Sequence, residues 1–300
     1  MRKNNLNEIK QFKSWLIDNP GHLKTSYSKL SSRFDIDVAI VADIVKEVKS
    51  IIFKPIEAVK KTNAKPSTRT FLPAPFKGDP SNVLIIGDTH IPFERKGYLE
   101  HCRAVQEKFN CGTVIHIGDV IDNNYSSYHE TNPDGRSAGD ELASAIERLQ
   151  DWYKVFPKVQ VCLGNHDQII QRKAYSSGLS KRWIKGLAEV LEVPNWEFDL
   201  EYEIDNVIYT HGTGTSGDRA AYARALNRRK SIVSGHLHTS ASVTWNVSDV
   251  DRIFAMQVGC GIDDAQYSFD YAKAFTKKSI ISCGVILNNG NLPIIIPMDL

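Results

Sequence analysis

The residues able to do chemistry fall into five short polar clusters: Gly87-Asp88-Thr89-His90, Gly118-Asp119-Val120-Ile121-Asp122, Gly164-Asn165-His166-Asp167, His211-Gly212 and Gly235-His236-Leu237-His238. Together they present carboxylate, amide and imidazole donors. Two adjacent divalent ions need this mixture, with one carboxylate able to bridge them. Asp88 and His90 stand two apart, so a continuing strand turns both to one face. Asp119 follows Gly118, whose missing side chain lets the backbone turn close to a metal. Asn165 brings a neutral carbonyl oxygen, and His211, His236 and His238 bring imidazoles. Such mixed nitrogen and oxygen ligation suits manganese, iron or zinc better than calcium. The chemistry expected of the site is metal-assisted hydrolysis.

Positioning these donors requires a strand before each cluster. Residues 83–86, 113–117, 159–163, 207–210 and 231–234 are short apolar, mostly β-branched runs, and each ends at one cluster. Helical stretches over 97–109 and 139–156 separate the first three. The pattern is α/β, an architecture in which ligands gather at the carboxyl ends of strands. His116 lies inside the second run and reads as a buried, hydrogen-bonded histidine. His129, in the polar loop 123–140, reads as a surface residue.

The front of the chain differs. Residues 1–58 are expected to form a small all-α module resembling a helix-turn-helix. Its first helix carries Ile9, Phe12, Trp15 and Leu16 and is stopped by Asn19-Pro20-Gly21; a second covers 26–34. A third puts Val38, Val41, Ile44, Val45 and Val48 on one face, but it also exposes Asp37, Asp43 and Glu47, a poor set for reading base edges. Residues 59–80, with Lys60, Lys61, Lys65 and Arg69 among Thr, Ser and several prolines, read as a linker, and 81–300 as the catalytic domain. The net charge is only +2, yet residues 1–80 hold 15 Lys/Arg against 8 Asp/Glu. That asymmetry hints at a polyanionic partner, DNA or RNA, with a merely solvated face as the alternative. The five scattered cysteines lack C-x-x-C spacing and read as reduced packing residues, and no apolar run is long enough to cross a membrane. A cytoplasmic location is expected, and oligomerisation is left open.

The five clusters resemble the pattern of the calcineurin-like metallophosphoesterases: D-x-H, G-D-x-x-D, G-N-H-D/E, a histidine often followed by glycine, and G-H-x-H. The resemblance spans roughly residues 81–240. It implies a four-layer αββα sandwich, with the late runs 243–247, 252–258, 279–287 and 293–297 filling the second sheet. It further implies that Asp88, His90 and His238 hold one metal and Asn165, His211 and His236 the other, with Asp119 bridging. Manganese is the first expectation, with iron, zinc or magnesium as alternatives. On this reading a water bridging the metals is the nucleophile. His166, matching the family histidine, is the general acid, and Asp122 or Asp167 orients a nearby histidine. Asp122 is equally readable as a metal-site support or as a cap for the segment after it.

Substrate contacts are expected from Tyr125, Tyr128 and Arg136 in the loop 123–140. Others are expected from Arg219 and Arg224 in the basic run 219–230 between two ligand motifs. The resulting expectation is a two-metal phosphodiesterase acting on nucleic acid. The alternatives are a phosphatase or phosphodiesterase for small nucleotides or phosphoproteins, and a nucleic-acid-binding adaptor with a structural metal site.

Overall fold

The computed structural model describes residues 6–52, 76–128, 132, 135–266, 268–269 and 276–299. His129 and residues 53–75 of the expected module and linker lie outside the described residues. The chain divides into two units, residues 1–71 and 72–300.

The first unit is helical: α1 (Leu6–Asp18), α2 (Tyr27–Phe34) and α3 (Val38–Ile52). Asp35, in the left-handed conformation at φ 52°, ends α2 and lets the chain turn into α3. Phe12, Leu16, Leu30, Val41, Val45 and Val48 are buried together, so the three amphipathic faces meet in one core. Val38 departs from its expected place on that face and is exposed.

The second unit begins with β1 (Asp79–Ile86), so Pro80 belongs to a strand rather than to the linker. It continues through α4 (Tyr98–Lys108), β2 (Cys111–His116), α5 (Ala138–Val155), β3 (Gln160–Cys162), α6 (Ile169–Ser176) and α7 (Leu187–Val190) to β4 (Glu197–Asp199). Next come β5 (Glu201–Ile204), β6 (Val207–Thr210), α8 (Ala220–Arg228), β7 (Ser231–Ser234), β8 (Ala241–Val247) and β9 (Arg252–Val258). The last strands are β10 (Ser282–Leu287) and β11 (Leu292–Pro297). Two sheets result, ordered β11-β10-β1-β2-β3-β4 and β5-β6-β7-β9-β8. Residues 279–287 and 293–297 therefore do not fill the second sheet as expected. β10 pairs antiparallel with β1, and β11 lies outside it in the first sheet.

Alternation along the strands explains the layers. Val83, Ile85, Ile115, Val207, Tyr209, Val233, Phe254 and Met256 fill the space between the sheets. Leu84, Ile86, Val114 and Val161 point the other way and pack under α4 and α5 with Tyr98, Leu149 and Trp152. Ala221 and Ala225 of α8 cover the outer face of the second sheet against Ile208, Ile232 and Ala255. The stack is the four-layer αββα sandwich. β1, β2, β3 and β4 run parallel, as do β6, β7 and β9, so the carboxyl ends within each set lie along one edge. All five polar clusters follow these ends.

Candidate metal centre

Asp88 leaves β1 with its carboxylate buried. One oxygen accepts the backbone N–H of His236 at 2.8 Å and lies 3.2 Å from His238 Nε2. A side chain at Gly235 would run into that carboxylate, so the approach of the last cluster to the first depends on this glycine. The backbone N–H groups of Thr89 and His90 donate to Asp119 O at 3.1 and 2.9 Å, tying the first cluster to the second. His90, Asp119 and His236 all sit at positive φ, 47°, 47° and 72°, a conformation that costs energy in a residue with a side chain.

Asp119 is the hub. Its Oδ1 accepts the His166 N–H at 2.8 Å, and its Oδ2 lies 3.1 Å from His211 Nε2 and 3.6 Å from His90 Nε2. His211 Nδ1 faces Ile117 O at 3.0 Å. A carbonyl only accepts, so Nδ1 carries the proton, and Nε2 is turned to Asp119 and, at 3.1 Å, to Asn165 Oδ1. His90 is oriented the same way, with Nδ1 on Asp122 Oδ1 at 2.6 Å and Nε2 facing inward. The donors fall into overlapping groups, Asp88–His90–His238, His90–Asp119–His166 and Asp119–His211–His236, with ligand atoms within 4.8 Å of one another in each.

This donor set fits divalent cations. Asp88 Oδ1 and His90 Nε2 are buried without a hydrogen-bond partner, and such orphaned atoms cost about 1–3 kcal/mol each unless something binds them. The electrostatics agree. Burial works against protonation of His211, yet the Asp119 and Asp88 carboxylates outweigh it and raise its pKa to about 9. Burial likewise opposes ionisation of Asp119, but the imidazoles of His211, His166 and His90 hold it well below the ordinary carboxylate value. Burial keeps the His90 ring neutral, with His166 adding to the effect. The site attracts positive charge: its carboxylates favour a proton on His211 or a cation among the donors.

His166 stands at the rim. Its ring packs edge-on against His90, centroids 4.5 Å apart, and Nδ1 is 2.5 Å from the Asp122 carbonyl oxygen, so the proton there is committed. Burial depresses its pKa, but Asp119 and Asp122 more than compensate, and the net shift is upward.

The neighbouring carboxylates separate by role. Asp122 caps nothing: it holds His90 Nδ1, and burial pushes its pKa up to about 7. Of the two carboxylates offered for orienting a histidine, Asp122 meets a ring and Asp167 meets backbone. The Asp167 carboxylate accepts the backbone N–H groups of Gly164 and Val120 at 2.9 and 3.0 Å, fixing the loops that carry Asn165 and Asp119. His116 is buried as expected. Thr89 donates its hydroxyl proton to Val120 O, so His116 Nε2 must be the donor to Thr89 Oγ1, and Gly118 N–H donates to His116 Nδ1. The ring is neutral, with burial lowering its pKa to about 3.

The expected substrate contacts are less uniform. Arg224 is turned away to structure: its Nη2 donates to Gly212 O at 2.8 Å, Thr213 O at 3.2 Å and Thr215 Oγ1 at 2.8 Å. Arg219 is exposed and lines a cavity of about 310 Å³ with Asp218, Tyr222, Ser242 and Thr244. Arg136 borders another surface recess with Pro92, Glu147 and Arg148. Tyr125 is exposed. Neither Arg219, Arg136 nor Tyr125 stands among the metal donors.

Sequence reasoning passed over Glu141, Gln257 and Phe269. Glu141, buried in the first turn of α5, accepts Asn124 N–H at 2.7 Å and steadies the loop after Asp122. Gln257 donates to Gly235 O, and the Phe269 ring packs 5.6 Å from His90. An acidic residue in a first turn reads as a dipole partner, so Glu141 gave no separate signal.

The model of the calcineurin-like phosphoesterases matches residues 81–255. The chain belongs to that family. No curated protein matches it significantly. Among solved structures, Vacuolar Protein Sorting 29 from Cryptosporidium parvum is 16% identical, covering 74% of this chain and 92% of its own at a TM-score of 0.39. YfcE, a phosphoesterase from E. coli, is 14% identical, covering 71% and 98% at 0.35. The nuclease MPE from Pseudomonas putida is 14% identical, covering 72% and 87% at 0.35.

Proposed function

We propose that this phosphoesterase hydrolyses phosphodiesters with two divalent cations, manganese first among them. The observation that carries the reading is the convergence on Asp119, whose Oδ2 faces His90 Nε2 on one side of the site and His211 Nε2 on the other. Asp88, His90 and His238 would hold one ion and Asn165, His211 and His236 the other, with Asp119 common to both. When bound, such a pair supplies Lewis acidity and a water acidic enough to attack phosphorus at neutral pH.

The chain's own groups do the rest. Asp122 and Ile117 O each take the Nδ1 proton of a ligand histidine, so Nε2 keeps its lone pair for the cation. His166, pinned through Nδ1 to Asp122 O, keeps Nε2 for protonating the departing oxygen. The charges that dominate at Asp88, Asp119 and His211 are other carboxylates and imidazoles, and Arg224 is committed to carbonyls. No lysine or arginine among the described residues figures in the charges that set these groups, so the further charge of a dianionic monoester would fall on the cations and on histidines alone, whereas a diester carries one. The five cysteines are free and buried, which supports the cytoplasmic reading.

The test is manganese-dependent hydrolysis of bis-p-nitrophenyl phosphate and p-nitrophenyl phosphate side by side. Faster turnover of the diester is expected. Preference for the monoester would overturn the diester assignment, and no turnover of either would overturn catalysis itself.

A further inference from the structure

Two chain segments leave the metal centre and meet again outside it. One leaves Asp122 and reaches Tyr128; the other leaves His166 and becomes α6. They meet where the Arg172 guanidinium and the Lys173 ammonium lie over the Tyr128 ring, 5.2 and 5.4 Å from its centroid. Beyond α6 the chain makes a 3-10 turn, Lys181–Trp183. Residues 168–188 hold five cations and no carboxylate. Lys185 pairs with Glu189, but Arg172, Lys173, Lys181 and Arg182 are exposed and have no carboxylate partner among the described residues.

The same stretch exposes its aromatics. Trp183 is 83% exposed, Tyr175 82% and Tyr128 61%. Large rings left in water beside unpaired cations cost solubility without adding to the core, and they mark a binding surface rather than a solvated one. The combination selects its ligand. Exposed cations match a polyphosphate backbone, and exposed rings match bases whose faces are free. A duplex hides those faces. An anionic membrane would match the charge, but it offers nothing for exposed rings to stack on. We propose that Tyr128, Arg172, Lys173, Tyr175, Arg182 and Trp183 form a receiving surface for single-stranded polynucleotide, which guides a phosphodiester toward His166.

This inference rests on the phosphodiesterase reading for the fate of the bound strand, but not for its binding. The test is fluorescence anisotropy of labelled oligothymidylate with the full chain, the oligonucleotide checked intact on a gel, alongside bis-p-nitrophenyl phosphate turnover. Tyr175→Ala with Trp183→Ala is expected to weaken oligothymidylate binding at least about tenfold, while an unchanged Tm reports an intact fold. Conservative Tyr175→Phe with Trp183→Phe should retain most of the affinity. Equal affinity of the alanine variant and the parent would overturn the surface, as would a parent that binds no oligothymidylate. Binding to phosphatidylserine vesicles, lost in the same variant and without oligothymidylate binding, would overturn it in favour of a membrane. A parent that binds oligothymidylate but turns over no diester would leave the surface standing and sink the phosphodiesterase reading alone.

Discussion

Two basic segments of the second unit put their charge to opposite uses. At the end of α8, Arg228 forks Glu201 with two bonds of 3.0 Å, Arg229 grips Asp251 and Lys230 grips Glu203, while Arg224 braces the loop after His211. Along α6 and the turn after it, Arg172, Lys173, Lys181 and Arg182 find no carboxylate among the described residues, and Trp183 and Tyr175 stand exposed in the same stretch. The difference lies in the neighbours. β5 alternates outward, presenting Glu201 and Glu203 on one face within reach of α8, whereas the cations of α6 meet no carboxylate among the described residues. Cation density therefore does not mark a ligand surface. Charge without a partner, set beside aromatic surface without cover, does.

The comparison breaks if strand binding belongs to the metal site instead of α6. Asp119→Ala, made at the hub, separates the two. Turnover of bis-p-nitrophenyl phosphate is expected to fall by about three orders of magnitude, measured with metal content by mass spectrometry. Oligothymidylate affinity should fall far less. A parallel collapse of both would move binding to the ions and leave α6 as another solvated face. Next in size is Asp122→Asn, which loosens His90 by replacing its carboxylate partner. Metal affinity is expected to drop about 10–100-fold, read by titrating manganese against turnover, and activity should return at high manganese. Failure to recover would mean that Asp122 does more than orient His90.

The two segments also explain what the sequence could disclose. Each candidate donor cluster follows directly on a short apolar run, so local pattern was enough to bring the candidate donors and the α/β layering into view. The sheet assignment of residues 279–297 was not legible that way. β10 lies beside β1 through Val83↔Ile286 and Leu84↔Val285, a pairing that no local signal encodes. Asp122 and Asp167 are the same residue type at similar offsets in their clusters, and only the direction of each carboxylate tells that one meets a ring and the other backbone amides. Sequence reading singles out the run 219–230 because it sits between ligand motifs, and passes over 172–185. The partners of the former on β5 lie 27 residues away in sequence, so their neutralising effect emerges only on folding.

Salt dependence sharpens the contrast directly. If Arg172 and Lys173 meet phosphates, replacing both with alanine should flatten the slope of log affinity for oligothymidylate against log salt by about 1.4, at roughly 0.7 per lost phosphate contact on a single strand. The matching double substitution Arg228→Ala with Lys230→Ala should leave the slope where it was. Equal flattening by both pairs would show that either cluster attracts polyanion diffusely, and the contrast would lose its meaning.

The smallest effects test the other half of the comparison, that the α8 cations are structural and graded by burial. Arg224 is half-buried and feeds two carbonyls and a hydroxyl, so Arg224→Ala leaves acceptors beside His211 short of a donor. A loss of about 1–3 kcal/mol is expected, which at about 2–4 °C per kcal/mol is several degrees of Tm by calorimetry. Arg228 and Glu201 are both about half exposed, where water screens the pair and the long side chains lose freedom in forming it. Arg228→Ala should therefore cost only about 0–1 kcal/mol. Were Arg228→Ala the more damaging of the two, the fork to Glu201 would be holding β5 against α8 more firmly than its exposure allows. The paired segment would then have to be treated as part of the fold's mechanical frame.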